Sequence, residues 1–233
     1  MKLIWWDAGP GYEVSFSTRE GGVSEGAFES LNLGKLTRDT EENVEENRRR
    51  LCAALGVDAG QLTFNRQRHS AVVHRAVGGR RGTDGDGIWT DEPGVPMLAF
   101  TADCVPVAVV GAERPALALL HVGWRGLLDG IVQEGVRALG SAGRAAVGPG
   151  IGPCCYEVGD EVAGPFRERF GDDVLAGRNL DLWAATERAL RDAGVGEIDR
   201  FDLCTSCNEG LFFSHRRDDG VTGRQGVIGV VVG

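Results

Sequence analysis

No apolar run in this chain approaches the ~20 residues that a membrane-spanning helix needs, so no membrane partner is expected. The start, MKLIWWDAGPGYEV, has neither a long apolar core nor a small-residue cleavage site. Basic charge is in deficit, with a formal net charge of −9. A nucleic-acid partner requires a basic surface that neutralises phosphates, and no concentrated basic stripe is present. The nearest cluster, Arg48-Arg49-Arg50, lies in the acidic setting EENVEENRRRL and reads as a solvated helix face. Signature loops are missing too. There is no phosphate-binding P-loop and no glycine-flanked serine elbow to start a Ser/His/Asp triad. GPGIGPCC fails as a dinucleotide fingerprint because Cys155 occupies the place of its last glycine. No second CxxC completes Cys204-x-x-Cys207, and Cys154-Cys155 has the wrong spacing, so these read as structural thiols.

What is present is ordinary for a globular protein. The 233 residues are 42% apolar and 25% charged, enough to bury a sizeable core. No repeat or low-complexity linker divides them, so one mixed α/β domain spanning residues 1–233 is expected. The six cysteines are too thinly spread to staple so long a chain. They are expected as reduced thiols in a cytoplasm, with Cys52, in the apolar face RLCAAL, the clearest core residue.

Periodicity predicts a helix over Asp39–Leu55, capped by Thr40. QLTFNRQRHSAVVHRAV alternates like a strand pair, and GGRRGTDGDGIWTDEPG reads as a loop. VPMLAFT, VPVAVVG and PALALLHV read as central strands, RAAVG as another, and GWRGLLDGIVQEGVRALG as one amphipathic helix. Further helices are expected over Asp160–Phe170 and Leu182–Ala193, with FDLCTSC and GVIGVVV as closing strands.

Two apolar runs end on reactive side chains. TADCVPV places Asp103 and Cys104 at a turn between strands, where sites on sheets form. LALLHVGWRG ends a strand at His121 and starts a helix near Arg125, a place suited to anions. Taken singly, Cys104 reads as core filling and His121 as a hydrogen-bonded core histidine. Taken together with His69 or His74, they match the ligand set of a catalytic zinc with an open fourth position. The same atoms also make a Cys–His hydrolase pair, with Cys104 the nucleophile and His121 the base. HRRDDG adds Arg216 and Arg217 as candidate anion binders.

FSTREGGVSEGAFESLNLG, ENRRRL, QRHS, TADCVPV, HVGWRGL, GPGIGPCCYEVGDEV and LFFSHRRDDGVTGRQG occur in one order from about residue 16 to about residue 226. Together they resemble the laccase-domain (YfiH-like) family, long labelled multicopper polyphenol oxidase and later associated with purine nucleoside phosphorylase activity. The resemblance implies a layered α/β/β/α fold of the putative cysteine hydrolase type. It implies one zinc held by His69, Cys104 and His121, and so selects His69 over His74. Arg68 and Ser70 depart from the family's usual neighbours around that histidine.

The implied substrates are phosphate and purine nucleosides: adenosine, inosine, guanosine and methylthioadenosine, with adenosine deamination besides. An open zinc position suits water activation for attack at C6 of adenine. Arg125, with Arg48 or Arg216, is the expected phosphate site, and Asp103 the group that handles protons or orients a ligand. Copper oxidase chemistry is disfavoured, because four histidines are too few for a multicopper cluster. The rival readings are a Cys–His amidohydrolase editing peptidoglycan precursors and a non-catalytic binding protein with structural zinc. The oligomeric state is left open.

Overall fold

The computed structural model describes residues 1–233, and alternation along its central strands decides the layering. The strands are β1 Leu3–Trp6, β2 Tyr12–Ser17, β3 Phe64–Arg66, β4 Val73–Arg75, β5 Arg81–Asp84, β6 Gly87–Thr90 and β7 Met97–Thr101. They continue with β8 Val105–Gly111, β9 Leu117–Val122, β10 Ala142–Val147, β11 Leu175–Ala176, β12 Asn179–Leu180, β13 Glu197–Arg200 and β14 Gln225–Val231. The helices are α1 Glu41–Ala54, α2 Trp124–Asp129, α3 Ile131–Leu139, α4 Asp160–Phe170 and α5 Leu182–Asp192. One mixed sheet runs β13-β10-β8-β9-β6-β4, and an antiparallel one runs β1-β2-β14-β7.

Successive side chains on a strand face opposite ways. In β8, Val105, Val107 and Val109 join one apolar cluster, and Ala108 and Val110 another. The first cluster also takes Leu127, Ile131, Phe166 and Leu190 from α2 to α5. The second holds Phe16, Met97 and Val227 of the four-stranded sheet, so it lies between the sheets. A third joins Leu98 and Ile228 to Leu51 and Cys52 of α1. The order is therefore helices, six-stranded sheet, four-stranded sheet, α1. Each fully buried large apolar side chain contributes about 1.5–3 kcal/mol to holding these layers. The expected mixed α/β layering and the core placement of Cys52 both hold, and Thr40 caps α1 by accepting from the Asn43 N–H.

Four local expectations fail. β3 and β4 do not pair with each other: β3 pairs with β5 and β4 with β6, both in parallel. The glycine-rich stretch is not a loop, since β5 and β6 lie inside it. Gly87 is a packing requirement there, because a Cβ would stand 2.7 Å from Val73 and 2.9 Å from Leu120. The helix after His121 is broken at Gly130, whose φ of 93° is left-handed, into α2 and α3. FDLCTSC forms turns rather than a strand, joined to the sheet region by the Phe201 N–H donating to the Val147 carbonyl and by an isolated bridge between Gly150 and Cys204.

Candidate metal centre

Strand register builds the centre. β8 and β9 run antiparallel with Val105 opposite Val122 and Pro106 opposite His121. Cys104, just before β8, therefore meets Gly123, just after β9. A Cβ on Gly123 would stand 2.8 Å from the His69 ring and 3.0 Å from the Cys104 sulfur, so only glycine lets these groups close. His121 shares its strand face with Leu117 and Leu119, which point between the sheets, and so its ring sits at the open end of that layer. His69 comes from the loop joining β3 to β4, with a left-handed φ of 61°; Asp103 has φ 85°. Left-handed backbone at non-glycine residues is strained and concentrates at functional sites.

The donor atoms of His69, Cys104 and His121 all lie within 4.8 Å of one another. His69 Nε2 is 3.7 Å from Cys104 Sγ, and the two imidazole rings are 4.9 Å apart at 69°. His74 stays outside, tied to the Asp84 carbonyl at 2.8 Å. Two imidazoles and a thiolate suit a borderline-soft divalent ion and leave a position open.

The carboxylate that orients a histidine is Asp86, which the sequence reading missed inside TDGDG. Its Oδ1 lies 2.8 Å from His121 Nδ1. It also accepts from the N–H groups of Arg68, His69 and Ser70 and from the Ser70 hydroxyl. Burial raises its pKa, but these donors outweigh burial and hold the carboxylate well below the usual range. Asp103, expected in that role, instead accepts from the Thr205 hydroxyl at 2.6 Å and the Arg216 N–H at 2.7 Å. It ties two loops to the centre.

A cavity of about 660 Å³ opens over these groups. Arg125, Arg216 and Arg224 line it, with Phe100, Trp124 and Tyr156. The Arg125 guanidinium stacks on Trp124 at 4.1 Å from the ring centre. Arg216 lies over Tyr156 and donates to the Glu157 carbonyl at 2.9 Å. Arg224, not singled out by sequence, is half-buried, and its guanidinium donates only to the Thr222 and Gly223 carbonyls. Arg217 is turned away, bonded to Asp218 and to the Thr205 and Phe212 carbonyls.

Arg48 does not lie on a solvated face. It is 2% exposed, falls on the buried side of α1 with Val44 and Leu51, and lies over Phe64 and Phe100. It lines the cavity, and its bonds to the Leu33 carbonyl and Glu45 brace it in the cavity wall.

Electrostatics couple Cys104 to His121. Burial opposes the Cys104 thiolate, yet the His121 and His69 rings lower its pKa to about 6. Burial likewise opposes charge on His121, but Cys104 and Asp86 raise it to about 9. Between those values the metal-free pair is a thiolate beside an imidazolium. Iodoacetamide labelling of Cys104 in metal-free protein, followed by peptide mapping, is therefore expected to show a midpoint at about pH 6. A midpoint at the ordinary thiol value of about 8.5 would refute this pairing.

Residues 13–231 match the family model described as multi-copper polyphenol oxidoreductase laccase. The chain belongs to this family. Among laccase-domain relatives, the purine nucleoside phosphorylase of Deinococcus radiodurans is 40% identical, covering 93% of this chain and 88% of its own. Purine nucleoside phosphorylase YlmD of Geobacillus stearothermophilus is 36% identical over 92% of this chain and 88% of its own. The crystal structure of the Geobacillus stearothermophilus YlmD aligns with a TM-score of 0.86 over 96% of this chain and 93% of that one, at 33% identity. A Neisseria meningitidis laccase-domain structure aligns with a TM-score of 0.90 over 100% of both chains, at 32% identity.

Proposed function

We propose that this laccase-domain protein is a zinc-dependent purine nucleoside phosphorylase. Its substrates would be adenosine, inosine, guanosine and methylthioadenosine, with adenosine deamination as a second activity. The observation that carries this reading is the His69–Cys104–His121 cluster at the base of a cavity lined by guanidinium groups and aromatic rings. The names of the relatives support it. Zinc held by these three residues would supply Lewis acidity at the open position.

The chain's own groups account for binding. Arg125 faces the cavity without an ion pair, and Arg224 has only neutral carbonyl partners, so both have donors for phosphate. Arg216 adds charge beside them. Trp124 and Phe100 offer flat apolar surface to a base. Burial, with Cys104 nearby, raises the Tyr156 pKa and keeps its phenol protonated as a donor to base or ribose. Asp86 holds the His121 tautomer and ring direction.

Mass-spectrometric product analysis with adenosine, inosine and methylthioadenosine, with and without phosphate, tests the reading. Phosphate-dependent release of free base and ribose phosphate is expected; turnover of none of them would overturn it. Arg125→Ala is expected to raise the KM for phosphate roughly 10–100-fold, as one lost charge-assisted contact of ~1.5–3 kcal/mol implies. The KM for nucleoside should move less, and the opposite pattern would remove Arg125 from the phosphate seat.

One observation favours a second reading. Asp86 bonds His121, and the His121 and Cys104 donor atoms lie within 4.8 Å of each other, the residue types of a nucleophile–base–orienter relay. A Cys–His amidohydrolase acting on peptidoglycan precursors would use Cys104 to attack and need no metal. A multicopper oxidase finds less support, since no third histidine joins the cluster.

A further inference from the structure

Two loops, the first of which supplies Ile151 and Tyr156 to the cavity wall, carry four cysteines with no role in the proposed reaction. Cys154 and Cys155 lie in GPGIGPCCY, and Cys204 and Cys207 in CTSC. The isolated bridge between Gly150 and Cys204, with the Thr205 N–H donating to the Gly150 carbonyl at 2.9 Å, draws the two loops together. All four sulfurs then lie within 4.8 Å of one another. Cys207 Sγ is 3.4 Å from both Cys154 Sγ and Cys155 Sγ, and none of the four is in a disulfide.

We propose that Cys154, Cys155, Cys204 and Cys207 form a second metal site, a tetrathiolate that takes one zinc ion and pins the two loops together. A tetrahedron with metal–sulfur bonds of about 2.3 Å separates its sulfurs by about 3.8 Å, so small side-chain adjustments suffice. The Gly152 N–H donates to Cys204 Sγ at 3.3 Å, the kind of bond that supports a coordinating thiolate. Asn208 fixes the same loop by donating from its side chain to the Cys204 carbonyl at 2.8 Å. Four thiolates with no imidazole or carboxylate select a soft or borderline ion. Cys204 is buried and Cys155 half-buried, while Cys154 and Cys207 are exposed and leave an entry path. Each thiol loses its proton to solvent on coordination.

The site would buttress the cavity. Thr205, inside CTSC, donates to Asp103. Tyr156 follows Cys155 and lines the cavity. Arg216 donates to the Cys155 carbonyl at 3.5 Å. Neither CC nor a single CxxC is a metal motif alone; the fold pairs them.

The test is zinc content after zinc loading under reducing conditions and exhaustive dialysis. Cys207→Ser and Cys154→Ser should each hold one zinc fewer per chain than wild type, whatever the content of the centre at Cys104. Cobalt-loaded Cys104→Ser should show the intense visible absorption of tetrahedral cobalt thiolate, and Cys104→Ser/Cys207→Ser should not. Folding of the variants does not limit a third arm. In zinc-loaded wild type, exposed Cys154 and Cys207 should resist maleimide until a chelator is added. Wild-type zinc content in Cys207→Ser, rapid labelling of Cys207 in the loaded protein, or a disulfide linking Cys207 to Cys154 or Cys155 there would each overturn the site.

Discussion

Cys104→Ser is expected to lose one metal ion per chain together with phosphorolysis, with kcat/KM falling more than ~100-fold, the upper end of a supporting-residue loss. The sulfur sits against Gly123 and the His69 ring, and a hydroxyl in its place neither ionises near neutral pH nor matches a thiolate in softness. The remaining imidazoles of His69 and His121 are then an incomplete set. The same variant separates the two enzymatic readings. If Cys104 is a nucleophile, activity falls but metal content is indifferent to the change, and metal-free wild type is active and inactivated by alkylation at Cys104. Metal retained at wild-type stoichiometry in Cys104→Ser, by mass spectrometry of the metal, would remove this residue from the ligand set.

Much of the fold was legible because strand alternation and helical spacing are local. The runs that became β8, β9 and β14 and the cap at Thr40 followed from composition and period. The misses share a cause: partners distant in sequence decided them. Strand β6 lies in glycine-rich sequence that reads as loop, yet β9 and β4 flank it and make it sheet. Arg48 reads as solvent-facing in a run of three arginines, but its spacing from Val44, Leu51 and Cys52 places it on the apolar side of α1. That spacing was available and outranked by charge. His69, Cys104 and His121 were visible through their motifs; their convergence needed the register of β8 on β9 and the left-handed turn at His69. Nothing local marks Asp86, because its value lies in donors from a loop and a strand on either side of it in sequence.

Asp86→Asn is expected to damage stability and metal binding together, and this follows from how many groups depend on one buried carboxylate. Asp86 accepts from three consecutive backbone N–H groups, at Arg68, His69 and Ser70, and from the Ser70 hydroxyl, while lying 2.8 Å from His121 Nδ1. Its backbone carbonyl also accepts from the His121 N–H at 2.8 Å. An amide turns one acceptor oxygen into a donor, which then faces other donors without water. Breaking a buried charged pair costs about 3–5 kcal/mol, and at about 2–4 °C per kcal/mol for a chain of this size, a clear fall in Tm follows. Metal affinity should fall about 10–100-fold as the His121 tautomer and the His69 turn loosen. Ser70→Ala, which removes one donor, should cost only about 1 kcal/mol. The pH dependence has a definite sign. The native carboxylate titrates below its unfolded value of about 3.9, so its contribution is complete above that value. It is lost as pH falls through the lower native pKa. Wild type should therefore lose stability steeply in acid, and Asp86→Asn, already lacking the contribution, should show a shallower acid slope. Thermal melts across that range with zinc titrations decide it: an unchanged Tm with unchanged zinc affinity would mean that Asp86 is not what holds the two histidines in place.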